Sequence, residues 1–183
     1  MSLNYSLPLP EFLSSLSNTD GRIRREFHEE DPSKPGYYPY IPMGNSWSII
    51  STLSGSGFKD GELKFLDIGA GTGRIVALAK YLGYKRVCGV EVNPVWVKAG
   101  RKAYGLTAAQ LICQDAFDMD KAFIDKFDRI YFYCPIADHT LMRKLFIQIY
   151  DLACEGALLV EMLPNYLPGD FGSSAARIVR KYA

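Results

Sequence analysis

From residue 63 onward, short apolar runs alternate with stretches in which apolar residues recur every three or four positions. The first pattern predicts buried strands and the second amphipathic helices. Strands are predicted at residues 64–69, 86–92, 110–114, 128–134 and 156–163. Between them, residues 74–82 form a helix stopped by Gly83, and Asn93 with Pro94 supplies a cap and first helical position for a helix to Tyr104. A weaker helix is predicted over residues 119–126. Asp138 caps another, with Leu141, Leu145, Phe146, Ile149 and Leu152 as its buried face. Continuous apolar strands joined by helices imply right-handed crossovers and an α/β fold: a doubly wound, mostly parallel sheet covered on both sides.

The first 60 residues read differently and hold six of the ten prolines. A short helix is expected at residues 10–17, followed by a mixed-charge run at 22–30 that contains His28, which is expected to be solvated. Four prolines in residues 31–42 forbid a continuous helix and favour an extended path. Asn45 caps a helix through Trp47, Ile49, Ile50 and Leu53, and the Gly55-Ser56-Gly57 cluster ends it. The expected organisation is an N-terminal helical and Pro-Tyr-rich extension, residues 1–60, and a ligand-binding domain, residues 61–183.

Composition narrows the function classes. Hydrophobic residues make up 48% of the 183 and charged residues 22%, which rules out wholesale disorder. Lysine plus arginine number 21 against 20 acids, and a net charge of +1 creates no global field for nucleic acid. The cluster Arg22, Arg24 and Arg25 is offset by Glu26, Glu29 and Glu30, which also argues against a nucleic-acid partner. Four separated cysteines and two histidines argue for reduced thiols in a cytoplasmic protein and against a metal site. The longest apolar runs are too short to span a membrane, and residues 1–10 lack a secretory pattern.

In a sheet of this class, ligands sit beyond the carboxyl ends of the strands, where strand order reverses. The first strand runs into Asp67-Ile68-Gly69-Ala70-Gly71-Thr72-Gly73-Arg74. Glycines at alternate positions permit a sharp turn and backbone contact with a ligand, and the next helix offers its amide end. A dinucleotide fingerprint needs a third glycine where Arg74 stands. Glu91 at the end of strand two can accept from both hydroxyls of a ribose, and otherwise is a solvated acid. Asp115, at the end of strand three, can accept from a purine amine while the next amide reaches a ring nitrogen, or it caps a turn.

Taken in order, Phe65 to Gly73, Gly89-Val90-Glu91-Val92-Asn93, Gln114-Asp115-Ala116 and Asp128-Arg129-Ile130-Tyr131 resemble the successive motifs of class I S-adenosylmethionine-dependent methyltransferases. The resemblance covers residues 63–163. It implies S-adenosylmethionine as cofactor. Gly69, Ala70, Gly71 and Gly73 would approach its methionine part, and Asp67 its ammonium. Glu91 would hold the ribose, and Asp115 with the Ala116 amide the adenine, between Val92 and Phe117. Residues 71–76 and 89–97, with the Tyr38-Pro39-Tyr40 segment, are also similar to a lysine-directed branch of these enzymes. A protein amine is therefore expected as acceptor ahead of a small molecule.

Methyl transfer is an in-line displacement in which alignment supplies much of the rate. After strand four, Tyr133-Cys134-Pro135-Ile136 stands where nucleobase-amine and glutamine methyltransferases carry Asp/Asn-Pro-Pro-Tyr/Phe. Tyr133 is a candidate for the sulfonium or acceptor, and otherwise a core aromatic. Cys134 is a candidate nucleophile or a small buried residue. His139 is a candidate base for a lysine acceptor, or a surface histidine in a helix's first turn. Tyr37, Tyr38, Tyr40 and Trp47 are candidates for a lid or for one face of the core. Two competing readings stay open: a non-catalytic module of this fold, and a nicotinamide-dependent oxidoreductase.

Only 20 residues follow strand five, enough for a short helix or one strand near residues 177–182. The usual antiparallel hairpin is thus expected to be incomplete, leaving the strand-five edge available for oligomerisation.

Overall fold

The computed structural model describes residues 3–28, 50, 62–133, 135, 136, 138–163 and 175–182. Its elements in chain order are α1 (Leu9–His28), β1 (Lys64–Ile68), α2 (Arg74–Tyr81), β2 (Arg86–Glu91), α3 (Pro94–Tyr104) and β3 (Leu111–Cys113). A 3-10 turn (Ala116–Asp118) follows, then α4 (Lys121–Ile124), β4 (Arg129–Tyr133), α5 (His139–Leu152), β5 (Leu158–Leu163) and β6 (Ala175–Arg180).

The strands form one sheet in the order β3-β2-β1-β4-β5-β6. All neighbours pair in parallel except β5 and β6. The order reverses between β1 and β4, so a crevice opens beyond their carboxyl ends. Register aligns Asp67 with Gly89 and Tyr131, and Glu91 with Cys113. The sequence candidates at these strand ends therefore share one edge of the sheet.

Apolar side chains alternate between two cores. On one face, Phe65, Tyr131 and Val160 meet α1, α2 and α3. On the other, Leu66, Ile68, Phe132 and Leu159 meet α4 and α5. Full burial of each large apolar side chain contributes roughly 1.5–3 kcal/mol, so these two layers are the main stabilising term.

Three expectations are corrected. The N-terminal helix does not stop at residue 17 but runs through Leu9–His28. Its buried stripe continues from Phe12 and Leu16 through Thr19 and Asp20 to Ile23, a spacing that the polar residues hide. Phe12 stacks on Tyr81 with ring centroids 3.8 Å apart, docking α1 on α2. In α5 the buried positions are Met142, Leu145, Phe146 and Ile149, while Leu141 is 43% exposed and Leu152 only half-buried. The helix is rotated so that Met142 takes the inward place assigned to Leu141. Finally, β5 has no open edge. β6 pairs along its full length, Leu158 with Arg180 through Leu163 with Ala175, so association through that edge is blocked by the chain's own strand. Strand β6 begins and ends two residues before the expected 177–182.

Of the 45–53 helix, only Ile50 is described; it is helical and fully buried in the face shared with α1. Tyr37, Tyr38, Tyr40 and Trp47 lie outside the described residues. No helix among the described residues is long and apolar enough to cross a membrane.

Candidate active site

The glycine loop after β1 turns because its three alternating glycines adopt left-handed backbone, with φ of 74°, 55° and 82° at Gly69, Gly71 and Gly73. β2 pins the first half of this loop. The amides of Gly69 and Ala70 both donate to the Val90 carbonyl at 2.9 Å, and Gly73 closes the turn by donating to Ala70 at 2.8 Å. α3 presses on the second half. A Cβ on Gly100 would stand 1.8 Å from the Thr72 carbonyl oxygen, so only glycine permits that approach.

Glu91 organises the strand ends. Its Oε2 accepts from the Gly71 amide at 2.8 Å and its Oε1 from the Asn93 amide at 2.9 Å. Its carbonyl accepts from the Gln114 amide at 3.0 Å, which fixes the exit of β3. The side chain is 7% exposed, so it does not point into bulk water. Burial raises its pKa, and the amides of Asn93 and Gly71 oppose that rise. Asn93 also caps α3 through its side chain, which accepts from Val95 at 2.9 Å and Trp96 at 3.4 Å.

Asp67 lies at the carboxyl end of β1 and is 3% exposed. No hydrogen bond to its carboxylate is found among the described residues. Desolvation, with Glu91 nearby, pushes its pKa up to about 8, and Arg74 partly opposes the rise. A desolvated acid beside the glycine loop favours a cationic ligand group there.

The remaining candidates are arranged as follows. Asp115 is exposed, and its Oδ1 accepts from the Phe117 amide at 2.9 Å, capping the 3-10 turn. Ala116 and Phe117 are half-buried on that turn, which Gln148 of α5 braces by donating to the Phe117 carbonyl at 2.9 Å. Val92 is 65% exposed beside the Glu91 carboxylate. Tyr133 is half-buried at the end of β4, against the core face of α1, α2 and α3. Cys134 lies outside the described residues. His139 is exposed in the first turn of α5, next to Asp138, whose carboxylate caps Thr140 and Leu141 at 2.7 and 3.0 Å. The structure thus gathers Asp67, the glycine loop and Glu91 tightly, and holds His139 on an exposed helix end.

Two contacts escape sequence reasoning. Pro135 sits so close to Gly69 that a Cβ there would fall 2.2 Å from the proline Cβ, which brings the segment after β4 onto the glycine loop. Arg74 pairs with Asp20 of α1 at 3.5 Å. The first is foreshadowed only by a proline at the expected place; the second carries no signal in local spacing.

These residues fit S-adenosylmethionine. The buried Asp67 offers a negative charge that suits an amino-acid ammonium, and Gly71 leaves its backbone open, with Trp96 the nearest side chain at 4.0 Å from a Cβ built there. Glu91 retains lone pairs on both oxygens beyond its two amide bonds.

Comparison with known proteins agrees. The profile described as a methyltransferase domain matches residues 65–156, half of the chain. No curated protein matches the sequence significantly. Among solved structures, an RNA methyltransferase from Salinibacter ruber in complex with S-adenosylhomocysteine is 19% identical, with TM-score 0.58 over 79% of this chain and 94% of that one. A hypothetical protein from Thermus thermophilus is 22% identical, with TM-score 0.61 over 80% and 90%. The N-methyltransferase NodS from Bradyrhizobium japonicum is 19% identical, with TM-score 0.52 over 66% and 67%. At these identities the solved structures support the fold, and the profile match supplies the family. With its motifs at the expected strand ends, the chain belongs to the class I S-adenosylmethionine-dependent methyltransferases.

Proposed function

We propose that the protein transfers a methyl group to an amine, with a protein side-chain amine ahead of a small molecule as acceptor. The carrying observation is the buried Asp67, without a hydrogen bond among the described residues, beside a glycine loop that Glu91 holds open. Asp67 would take the cofactor's ammonium, with Gly69, Ala70, Gly71 and Gly73 along its methionine part. Glu91 would take the ribose. Asp115 and the Ala116 amide would take the adenine, flanked by Val92 and Phe117. When bound, S-adenosylmethionine supplies a methyl carbon activated for in-line displacement.

The chain's own contribution is alignment and exclusion of water. The contact of Pro135 with Gly69 supports a fixed distance between the loop after β4 and the cofactor loop. Tyr133, at the end of β4 and two residues beyond the register partner of Asp67, is proposed to face the acceptor, with Cys134 beside it. A lysine acceptor, with a free pKa near 10.4, must lose a proton first. His139 is the proposed base, reached by an acceptor that enters over the exposed start of α5. The similarity of residues 71–76 and 89–97 to lysine-directed enzymes supports the amine. Residues 1–60 are read as an extension of the 61–183 cofactor-binding domain, in a cytoplasmic protein with reduced thiols.

Calorimetric titration with S-adenosylhomocysteine, followed by methyl-transfer assays on protein, metabolite and RNA panels, tests this reading. Micromolar binding with labelling of a protein amine is the expected result. Labelling of RNA overturns the acceptor; binding without any transfer favours a non-catalytic module. Binding of NADH instead of S-adenosylhomocysteine overturns the cofactor as well.

A further inference from the structure

Arg74 is the first residue of α2 and is buried, which places a cation at the positive end of a helix. The helix has no acid in its own first turn, and its N-cap, Gly73, contributes no side-chain hydrogen bond. The negative charge comes instead from α1. Asp20 Oδ2 lies 3.5 Å from Arg74 Nη1, with both side chains less than a tenth exposed. Asp20 Oδ1 accepts from the buried Tyr104 hydroxyl at 3.1 Å. Tyr104 belongs to α3, the helix whose Gly100 packs on the Thr72 carbonyl. A second residue of the N-terminal segment, Tyr5, donates to the Tyr104 carbonyl at 2.7 Å.

Thr72 and Arg74 flank Gly73 in the glycine loop. The loop is therefore gripped from two sides. β2 holds residues 69–71 through the Val90 carbonyl and Glu91, while α1 holds Arg74 through Asp20 and, through Tyr104, the helix α3 that packs on Thr72. Arg74 also acts electrostatically on Asp67, the acid at the end of β1. With the Asp20 charge removed, Arg74 keeps its burial but loses this counter-charge, and the nearby Asp67 becomes an alternative.

We propose that Asp20 is a positioning residue for the cofactor loop: by pairing Arg74 and accepting from Tyr104 of α3, docking of α1 sets the loop's binding shape, and cofactor occupancy in turn tightens α1. This rests on the cofactor reading above. Such linkage between two sites is reciprocal.

The test titrates wild type, D20N, D20E and L145A with S-adenosylhomocysteine and follows amide exchange in α1 of the wild type with and without ligand. Leu145 lies on the opposite face of the sheet and reports generic destabilisation. D20N is expected to raise the Kd about tenfold, within the usual 5–150-fold range of site coupling. D20E should recover most of the affinity, and L145A should lose stability at wild-type Kd. Ligand should slow exchange at Leu16 through Ile23. No binding by wild type sinks the cofactor reading itself. Wild-type binding with an unchanged D20N Kd, or with α1 exchange indifferent to ligand, overturns the positioning role alone. The exchange measurement stands even if D20N fails to fold.

Discussion

Glu91 accepts the Gly71 amide at 2.8 Å, tying the end of β2 to the middle of the glycine loop. The same carboxylate accepts the Asn93 amide, so one buried acid sets both the loop and the start of α3. Its proposed role toward the ribose comes on top of this structural one. It is part of the scaffold on which the cofactor would sit.

Glu91→Ala should therefore affect the free protein as well as its ligand. Two half-buried amides lose a charged acceptor, and bonds of that type contribute about 1.5–3 kcal/mol. We expect a stability loss of about 2 kcal/mol in urea unfolding, together with a more than tenfold weaker calorimetric Kd for S-adenosylhomocysteine. A variant with wild-type stability would show that the loop is held by other contacts.

Asp67 predicts a pH dependence with a definite sign. Its pKa rises from 3.8 in the unfolded chain to about 8 in the fold. Between those values the unfolded chain binds fewer protons than the native one, so stability falls as pH rises through this window and levels off above it. Asp67→Asn should flatten the fall seen in denaturant titrations from pH 4 to 8 and should stabilise the free protein near pH 8. The same variant should bind S-adenosylhomocysteine more than tenfold more weakly, because a neutral amide does not compensate an ammonium. A pH profile unchanged by the substitution would place the titrating group elsewhere.

Gly69→Ala joins two penalties. Its φ is +74°, and the new methyl overlaps Pro135. Left-handed backbone costs a non-glycine residue about 1–2 kcal/mol, and overpacking about 1–3 more. Gly83→Ala shares a positive φ of 85° but meets nothing within 4 Å, so it should cost only the first amount. Thermal melts of the pair separate the overlap from the backbone conformation. Equal losses would mean that Pro135 moves aside freely.

The rotation of α5 is testable by two neighbouring truncations. Leu141→Ala, at an exposed position, should change stability by less than about 0.5 kcal/mol. Met142→Ala, buried against the core of the second face, should cost about 2–5 kcal/mol. The reverse order would restore Leu141 to the inward face.

Much of the fold was legible in the chain. Strands β1, β2 and β4 are continuous apolar runs, and burial on both faces makes such runs readable without neighbours. Asn93-Pro94 and Asp138 marked helix starts because capping is a local reaction between a side chain and amides two or three residues away. The length of α1 was not legible, because its buried stripe passes through Thr19 and Asp20. Asp20 is buried where it meets Tyr104 and Arg74, both distant in sequence.

The sequence by itself determined the alternation of strands and helices, the glycine loop and the acids at successive strand ends, since each depends on backbone geometry within a few residues. Tertiary structure alone decided that Glu91 would hold Gly71, that Pro135 would close on Gly69, that β6 would cover β5, and that α1 would answer the charge of Arg74. Each of those is a meeting of groups far apart along the chain. Only the order in which strands pair sets which distant groups share a desolvated space, and in that space an unpaired charge or amide costs enough to select its partner.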